Sequence, residues 1–169
     1  MGIQLLRTNS CASEIISKYA DLVFRLCIVY LKNTADAEDA FQNIFIKLFE
    51  KSPSFNDEEH LKAWLIKCTV NHCKNMLRTY WNRFKVSIDD IVLPIEDKQT
   101  GELVKYVMKL PLKYKSVIYL YYYEGYSTLE ISKILDIKDA TIRAQLKRGR
   151  DLLKKELYNG GFEYEGYEF

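Results

Sequence analysis

Seven basic residues and two acidic ones lie between Lys138 and Lys155, in a stretch whose apolar residues recur at helical spacing. The apolar residues that share one helix face, and are expected to point into a core, are Ile142, Leu146 and Leu153. The fork of an arginine fits the O6 and N7 edge of guanine, so we predict base contacts by Arg143 and Arg148. Lysine and the N-terminal end of a helix suit phosphates. The residues assigned to phosphate contacts are Thr141, Lys147 and Arg150.

A short helix is predicted immediately before this basic one. Ser127 or Thr128 can cap its start, and Glu130 stands close to the capping-box position. Residues 136–138 form a short turn, after which Asp139 can cap the basic helix. This spacing predicts a helix-turn-helix whose second helix reads DNA. The motif indicates DNA binding, but repressors, activators and initiation factors all carry it.

A second basic stretch runs from Leu61 to Lys85, with six basic residues and no acidic one. Trp64, Tyr80 and Trp81 are interleaved with its lysines and arginines. A cationic strip with aromatic side chains suits a DNA backbone and unstacked bases. Ordinary packing in a core is the alternative for the aromatic residues, above all for Trp64.

The stretch from Thr34 to Glu59 has the opposite charge, with seven acidic residues and two lysines. An acidic helix beside a basic one cannot serve DNA, because phosphates would repel it. It is suited to contact with another protein.

The sequence predicts no metal site, no cofactor and no catalytic residue. Cys68 and His72 share a helix face, but Cys73 points about 100° away from His72 and no second ligand pair follows. The rival reading, a metal-dependent nucleic-acid enzyme using Cys68 and His72, lacks a carboxylate in the basic stretch. A zinc assay would decide that alternative.

Cellular location follows from cysteine use and from the N-terminus. None of the four cysteines forms a CxxC pair, and the chain begins without a signal-peptide pattern. No apolar run is long enough to span a bilayer. We therefore predict a cytoplasmic protein with reduced thiols and no membrane insertion.

Scarce glycine and proline, together with helical periodicity, predict an all-α protein. In the first half, Ser13 and Thr34 are expected to cap the first two helices. The helices predicted before the basic pair are Ser13–Lys32, Thr34–Lys51, Glu58–Arg83, Glu102–Leu110 and Leu112–Tyr123. Gly125 is suited to the stop of the last of these.

Residues 85–100 have no sustained period and read as a flexible linker, because so long a loop is unusual inside one domain. The sequence therefore predicts two small helical domains, at residues 10–84 and 101–158. The tail at 159–169 is expected to be mobile.

The two halves together resemble a known family. In residues 33–78 the pattern DAED-x-x-Q-x-x-F-x-x-x-F, a loop, and L-x-x-W-L followed by Asn71 resemble region 2 of bacterial sigma factors. Residues 110–157, which open LPLKYKSV and close with the helix-turn-helix, resemble region 4. The short separation without a third domain is similar to that of the extracytoplasmic-function (ECF) group.

The resemblance implies a promoter-recognition subunit that binds core RNA polymerase and helps to open the duplex. Its docking residues, on the coiled coil of the largest polymerase subunit, would be Asp36, Glu38, Asp39, Phe41, Gln42, Ile44 and Phe45. Its minus-10 residues would be Asn56, Lys62, Lys67, Asn71, Lys74, Asn75 and Arg78. Arg143, Ala144 and Arg148 match positions that read the minus-35 element.

The resemblance also implies partners: core polymerase, double-stranded promoter DNA, the melted minus-10 strand and an anti-sigma factor. A stand-alone helix-turn-helix regulator remains the alternative. Such a regulator would bind its operator without polymerase, usually as a dimer.

Overall fold

The computed structural model describes the backbone of residues 9–51, 53–83 and 98–160, and the side chains of residues 12–51, 53–79 and 103–160 within them. Every regular element in these ranges is an α-helix, which confirms the all-α class. The chain divides into two compact units, Met1–Leu93 and Pro94–Phe169. Residues 85–97 of the predicted linker and residues 161–169 of the predicted tail lie outside the described ranges.

The first unit consists of α1 (Asn9–Leu31), α2 (Thr34–Lys51) and α3 (Glu58–Arg83). Each helix contributes an apolar stripe to one core, in which every helix contacts the other two. The fully buried residues that represent the three stripes are Val23, Leu26, Ile44, Leu48, Leu65 and Ile66. The helix α1 begins a turn before Ser13, so Ser13 lies inside the helix and the prediction that it caps α1 was wrong.

Asn33, not Thr34, caps α2. The Asn33 Oδ1 atom accepts a hydrogen bond from the backbone N–H of Asp36 at 2.9 Å, and its amide also donates to the Asp36 carboxylate. This is the Ncap-to-N3 arrangement that satisfies an orphan donor of the first turn. Lys32, with φ of +62°, makes the tight reversal between α1 and α2.

The second unit consists of α4 (Lys98–Lys109), α5 (Leu112–Tyr122), α6 (Thr128–Leu135) and α7 (Asp139–Asn159). The helix α5 lies at its centre and contacts the other three, so residues 114–120 are all buried. Gly149 of α7 faces α5 so closely that an added Cβ would lie 2.9 Å from Cγ1 of Ile118. The absence of a side chain at this position lets the two helices approach.

The start of α4 differs from the sequence prediction. The helix α4 starts at Lys98 and takes in the last residues of the predicted linker, passing through Gly101. A helical glycine costs only about 1 kcal/mol relative to alanine, which is too little to end a helix whose far end is packed. The helix α5 begins at Leu112 as predicted, with Pro111 as its Ncap.

Candidate protein and nucleic-acid interfaces

A groove of about 370 Å³ runs between α1 and α2 on the first unit. The residues that line this α1–α2 groove are Ala20, Asp21, Phe24, Glu38, Phe41 and Gln42. Acidic and aromatic side chains thus share one concave surface. Three of the predicted docking residues, Glu38, Phe41 and Gln42, are brought together here.

Phe41 sits in a row of aromatic rings that leads from the groove into the core. Its centroid lies 6.2 Å from that of Phe24, edge to face, and 4.9 Å from that of Phe45. Ile44 and Phe45, by contrast, are almost completely buried. Phe45 packs against Phe41 from the core side, and the surface role expected for Ile44 and Phe45 does not match their buried positions.

The other two acidic residues predicted to dock, Asp36 and Asp39, differ in their surroundings. Asp36 is half-buried and engaged with Asn33 at the helix start, whereas Asp39 is exposed outside the groove. Sequence reasoning missed Asp21 and Phe24, which α1 contributes to the groove. Helical periodicity could have indicated them, because both residues lie at the edge of the buried apolar stripe of α1, next to where a neighbouring helix packs.

The loop at 53–57 is anchored by one aromatic side chain. Phe55 is 1% exposed, and its ring meets those of His60 and Trp64 edge to face at 5.4 and 5.9 Å. Trp64 is therefore largely a packing residue, the alternative considered for it. Ser52 lies outside the described residues.

Asn56 is exposed beside this anchor, and its position is fixed through its main chain. Its backbone N–H donates to Nδ1 of His60 at 3.3 Å. The Asp57 carboxylate caps α3 by accepting from the His60 N–H at 2.7 Å. Next to it, Glu58 pairs with Lys18 of α1, and this contact lowers the Glu58 pKa. The loop thus presents Asn56 from a braced end of α3.

The predicted minus-10 residues of α3 do not all share a face. Lys67, Asn71, Lys74, Asn75 and Arg78 recur at spacings of three and four and form one surface, here called the cationic face. Lys62 lies about 140° around the helix axis from Lys67, so it does not belong to this surface. Burial lowers the pKa of Lys74, which is half-buried at the edge of the face. Tyr80 and Trp81 have side chains outside the described residues.

Cys68 and His72 point toward α2 and its lysines. Burial raises the Cys68 pKa, while the charges of Lys47, Lys51 and Lys67 act against this rise. The His72 pKa is lowered by burial and by Lys47. Neighbouring ammonium groups disfavour a bound cation. Within the described part of the chain, no three potential ligands come together in a metal-binding group.

The helix-turn-helix of the second unit forms as predicted. Ser127 caps α6 in a capping box with Glu130: the Ser127 N–H donates to Oε2 at 2.8 Å, and Oγ accepts from the Glu130 N–H at 3.3 Å. The Ser127 hydroxyl also donates to Oε2 at 2.6 Å, and this bond, together with the one from the Ser127 N–H, lowers the pKa of Glu130. Asp136 then turns the chain in the left-handed region, with φ of +57°.

The helix α7 presents the predicted residues to solvent. Ile142, Leu146 and Leu153 are buried, and Gly149 and Leu157 join them. The predicted contact residues that are exposed on the opposite side are Thr141, Arg143, Ala144, Lys147 and Arg148. Arg150 is half-buried at the flank of α7.

The prediction that Asp139 caps α7 was wrong. Lys138 occupies the Ncap position, without a side-chain cap. Asp139 is the first helical residue, and its Oδ2 atom lies 2.9 Å from Nε of Arg143 one turn later. The carboxylate therefore engages a contact residue instead of the helix backbone.

Two family models match the chain in succession. The model described as sigma-70 region 2 matches residues 15–83, which contain the α1–α2 groove and the cationic face. The model described as sigma-70, region 4 matches residues 100–153, which contain the helix-turn-helix. The chain belongs to the sigma-70 family. The presence of both regions on one chain favours a polymerase-associated sigma factor over a stand-alone regulator.

Curated relatives of this sigma-70 chain belong to the ECF group. It is 29% identical over 164 residues to the ECF RNA polymerase sigma factor SigW of Bacillus subtilis, which covers 86% of this chain and 88% of SigW. It is 28% identical over 162 residues to the ECF sigma factor SigM of the same organism, covering 90% and 98%.

Two solved structures share the fold. RpoE of Bartonella quintana, solved with the anti-sigma factor NepR, matches with a TM-score of 0.72 at 20% identity, covering 86% of this chain and 96% of RpoE. CnrH, solved with the cytosolic domain of CnrY, matches with a TM-score of 0.70 at 15% identity, covering 92% and 93%. None of the helices in the described ranges is long and apolar enough to cross a membrane.

Proposed function

We propose that this sigma factor docks on core RNA polymerase through the α1–α2 groove and directs initiation at promoters read by its two units. The observation that carries the proposal is that the first unit has two surfaces of opposite charge. An acidic aromatic groove suits a protein partner, and a cationic face suits DNA. A stand-alone DNA-binding protein has no use for the groove.

The three surfaces have separate roles in this proposal. Glu38 and Phe41 contact the coiled coil of the largest polymerase subunit. Asn56 and the cationic face take the minus-10 element and the separated strand. Arg143, Ala144 and Arg148 read the minus-35 element, while Thr141, Lys147 and Arg150 hold phosphates.

The protein has no catalytic residue in this proposal and needs no cofactor. Its contribution to promoter opening is to capture unstacked bases, whose unpairing costs a few kcal/mol. It acts in the cytoplasm, where it meets polymerase. An anti-sigma factor holds it inactive until a signal arrives, a proposal supported by the fold shared with RpoE, which was solved with an anti-sigma factor.

The test is a pull-down of core polymerase followed by run-off transcription. Glu38→Arg reverses a charge in the groove, and Glu50→Arg makes the same change at an exposed position of α2 outside it. We expect Glu38→Arg to lose polymerase binding and transcription, while Glu50→Arg retains both. A chain that ignores polymerase yet binds DNA tightly would instead be a stand-alone regulator.

A further inference from the structure

Asp139 and Arg143 form an ion pair on the face of α7 that is proposed to enter the major groove. Oδ2 of Asp139 lies 2.9 Å from Nε of Arg143. The Asp139 side chain is 31% exposed and that of Arg143 is 66% exposed. The pair therefore joins a mostly buried carboxylate at the start of α7 to an arginine side chain that extends into solvent.

The stability of α7 does not account for this carboxylate. Asp139 makes no capping hydrogen bond, since Lys138 is the Ncap residue. Its second oxygen, Oδ1, is buried and has no hydrogen-bond partner within the part of the chain that the structure describes. An unsatisfied buried acceptor is unfavourable for folding, so its presence calls for another reason.

The contact constrains which nitrogens of Arg143 can meet DNA. A guanidinium carries five N–H donors, one on Nε and two on each terminal nitrogen. With Nε held by Asp139, the two terminal nitrogens remain for the bidentate contact with O6 and N7 of guanine. The side chain is ordered before binding, so less conformational entropy is lost on contact.

From this geometry we infer that Asp139 is a positioning residue for the minus-35 contact of Arg143. This inference rests on the proposed function, in which Arg143 reads a base. The negative charge of Asp139 has a second effect, because it offsets the attraction of Arg143 to phosphates of any sequence. Asp139 thus increases base discrimination and decreases non-specific affinity.

The test uses the full chain bound to core polymerase, after binding to polymerase has been measured. Holoenzyme selects from duplexes randomised across the minus-35 region. Asp139→Asn removes the charge at nearly constant size, and Asp139→Glu keeps the charge. Asp151→Asn is the matched control, because Asp151 is an exposed acid of the same helix. Arg143→Ala identifies the base that Arg143 reads.

We expect Arg143→Ala to abolish the preference at one base pair and Asp139→Asn to reduce it about tenfold, within the range of a bidentate contact. The double variant should lose no more than Arg143→Ala alone. Asp139→Glu should restore the preference, and Asp151→Asn should leave it unchanged. Both asparagine variants should bind random DNA more tightly, because each removes a negative charge. The loss of base preference in Asp139→Asn and its recovery in Asp139→Glu therefore distinguish a positioning role from a structural one.

Two results would overturn the inference in different ways. If Asp139→Asn keeps the full base preference that Arg143→Ala loses, Asp139 does not position the arginine, and the proposed function stands. If Arg143→Ala keeps the preference, Arg143 reads no base and the proposed minus-35 contact fails as well. Helical content measured by circular dichroism ensures that each variant is compared in its folded state.

Discussion

The rings of Phe24 and Phe41 meet edge to face across the α1–α2 groove, with centroids 6.2 Å apart and planes at 79°. One ring comes from each helix, so the groove has an aromatic floor that neither helix provides alone. Asp21 and Glu38 add an acidic residue from each side. A basic surface with protruding apolar side chains on the partner would complement both features.

Truncation of Phe24 tests this floor. Buried aromatic anchors often contribute 2 kcal/mol or more to binding, so Phe24→Ala should weaken affinity for core polymerase by about 30-fold. Phe49→Ala is the control, because Phe49 is also half-buried but lies outside the groove. Binding is measured by fluorescence anisotropy of labelled protein. Equal losses in the two variants would assign the effect to general destabilisation of the first unit.

His60 should control how Asn56 is presented to the minus-10 element. Its Nδ1 atom accepts from the Asn56 N–H, and alanine at position 60 would offer no acceptor in its place. Promoter opening, followed by permanganate reactivity, should therefore be impaired in His60→Ala. His60→Asn keeps a side-chain acceptor and should retain more of the opening. Equal opening by the wild type and His60→Ala would contradict this role.

The cationic face should be distinguishable from Lys62. Each phosphate contact removed should lower the slope of log affinity against log salt by about 0.7 to 0.9. We expect this decrease for Lys67→Ala and Arg78→Ala, measured with holoenzyme on a promoter fragment. Lys62→Ala should leave the slope unchanged, because Lys62 lies on another side of α3. A decrease of the same size in Lys62→Ala would show that the DNA path is not confined to this face.

Gly149→Ala should destabilise the second unit although alanine favours helices by about 1 kcal/mol. The new Cβ would lie 2.9 Å from Cγ1 of Ile118 and 3.3 Å from Cβ of Tyr114. Overpacking of this kind costs about 1 to 3 kcal/mol, so the clash should outweigh the propensity. Chemical denaturation followed by tyrosine signals reports mainly on this unit, which contains ten of the thirteen tyrosines.

The double variant Ile118→Ala with Gly149→Ala provides the control for this clash. Removal of the Ile118 side chain leaves room for the new methyl group, so the two effects should not add. Strict additivity would mean that the close approach of α5 and α7 is not the cause.

Acid should selectively weaken the capping box of α6. The folded-state pKa of Glu130 is lowered from 4.5 by hydrogen bonds from Ser127. Its stabilising contribution is therefore present above pH 4.5 and is lost as the pH falls through the folded value. The difference in Tm between the wild type and Glu130→Gln should be largest near neutral pH and disappear in strong acid. A difference that stays constant with pH would mean that ionisation of Glu130 does not contribute.

Periodicity and turn chemistry were enough to predict most helices and the outward face of α7. The bounds of α3 and the buried set Ile142, Leu146 and Leu153 follow from spacing alone, because packing at a helix face depends on the 3.6-residue period. The same spacing separates Lys62 from the cationic face. Charge composition alone placed Lys62 with the other basic residues, because it takes no account of the direction of each side chain around the helix.

Features that depend on tertiary contact were not predictable in the same way. Phe24 lines the groove only because α1 and α2 pack side by side. The choice of Asn33 over Thr34 as cap depends on where α1 ends. Asp139 has a residue type that suits a cap, but α7 begins at this residue and not after it, so its carboxylate contacts Arg143 instead.

The hydrogen bond that holds Asn56 uses its main chain, which every residue except proline shares. The loop conformation at position 56 therefore does not depend on which side chain is there. It is held by this backbone hydrogen bond, by the buried Phe55 and by Asp57, which caps the start of α3. The side chain at position 56 can therefore be substituted while the backbone of the loop keeps its conformation. Under the proposed function, in which Asn56 meets the minus-10 element, substitutions at position 56 should change promoter preference without changing the fold.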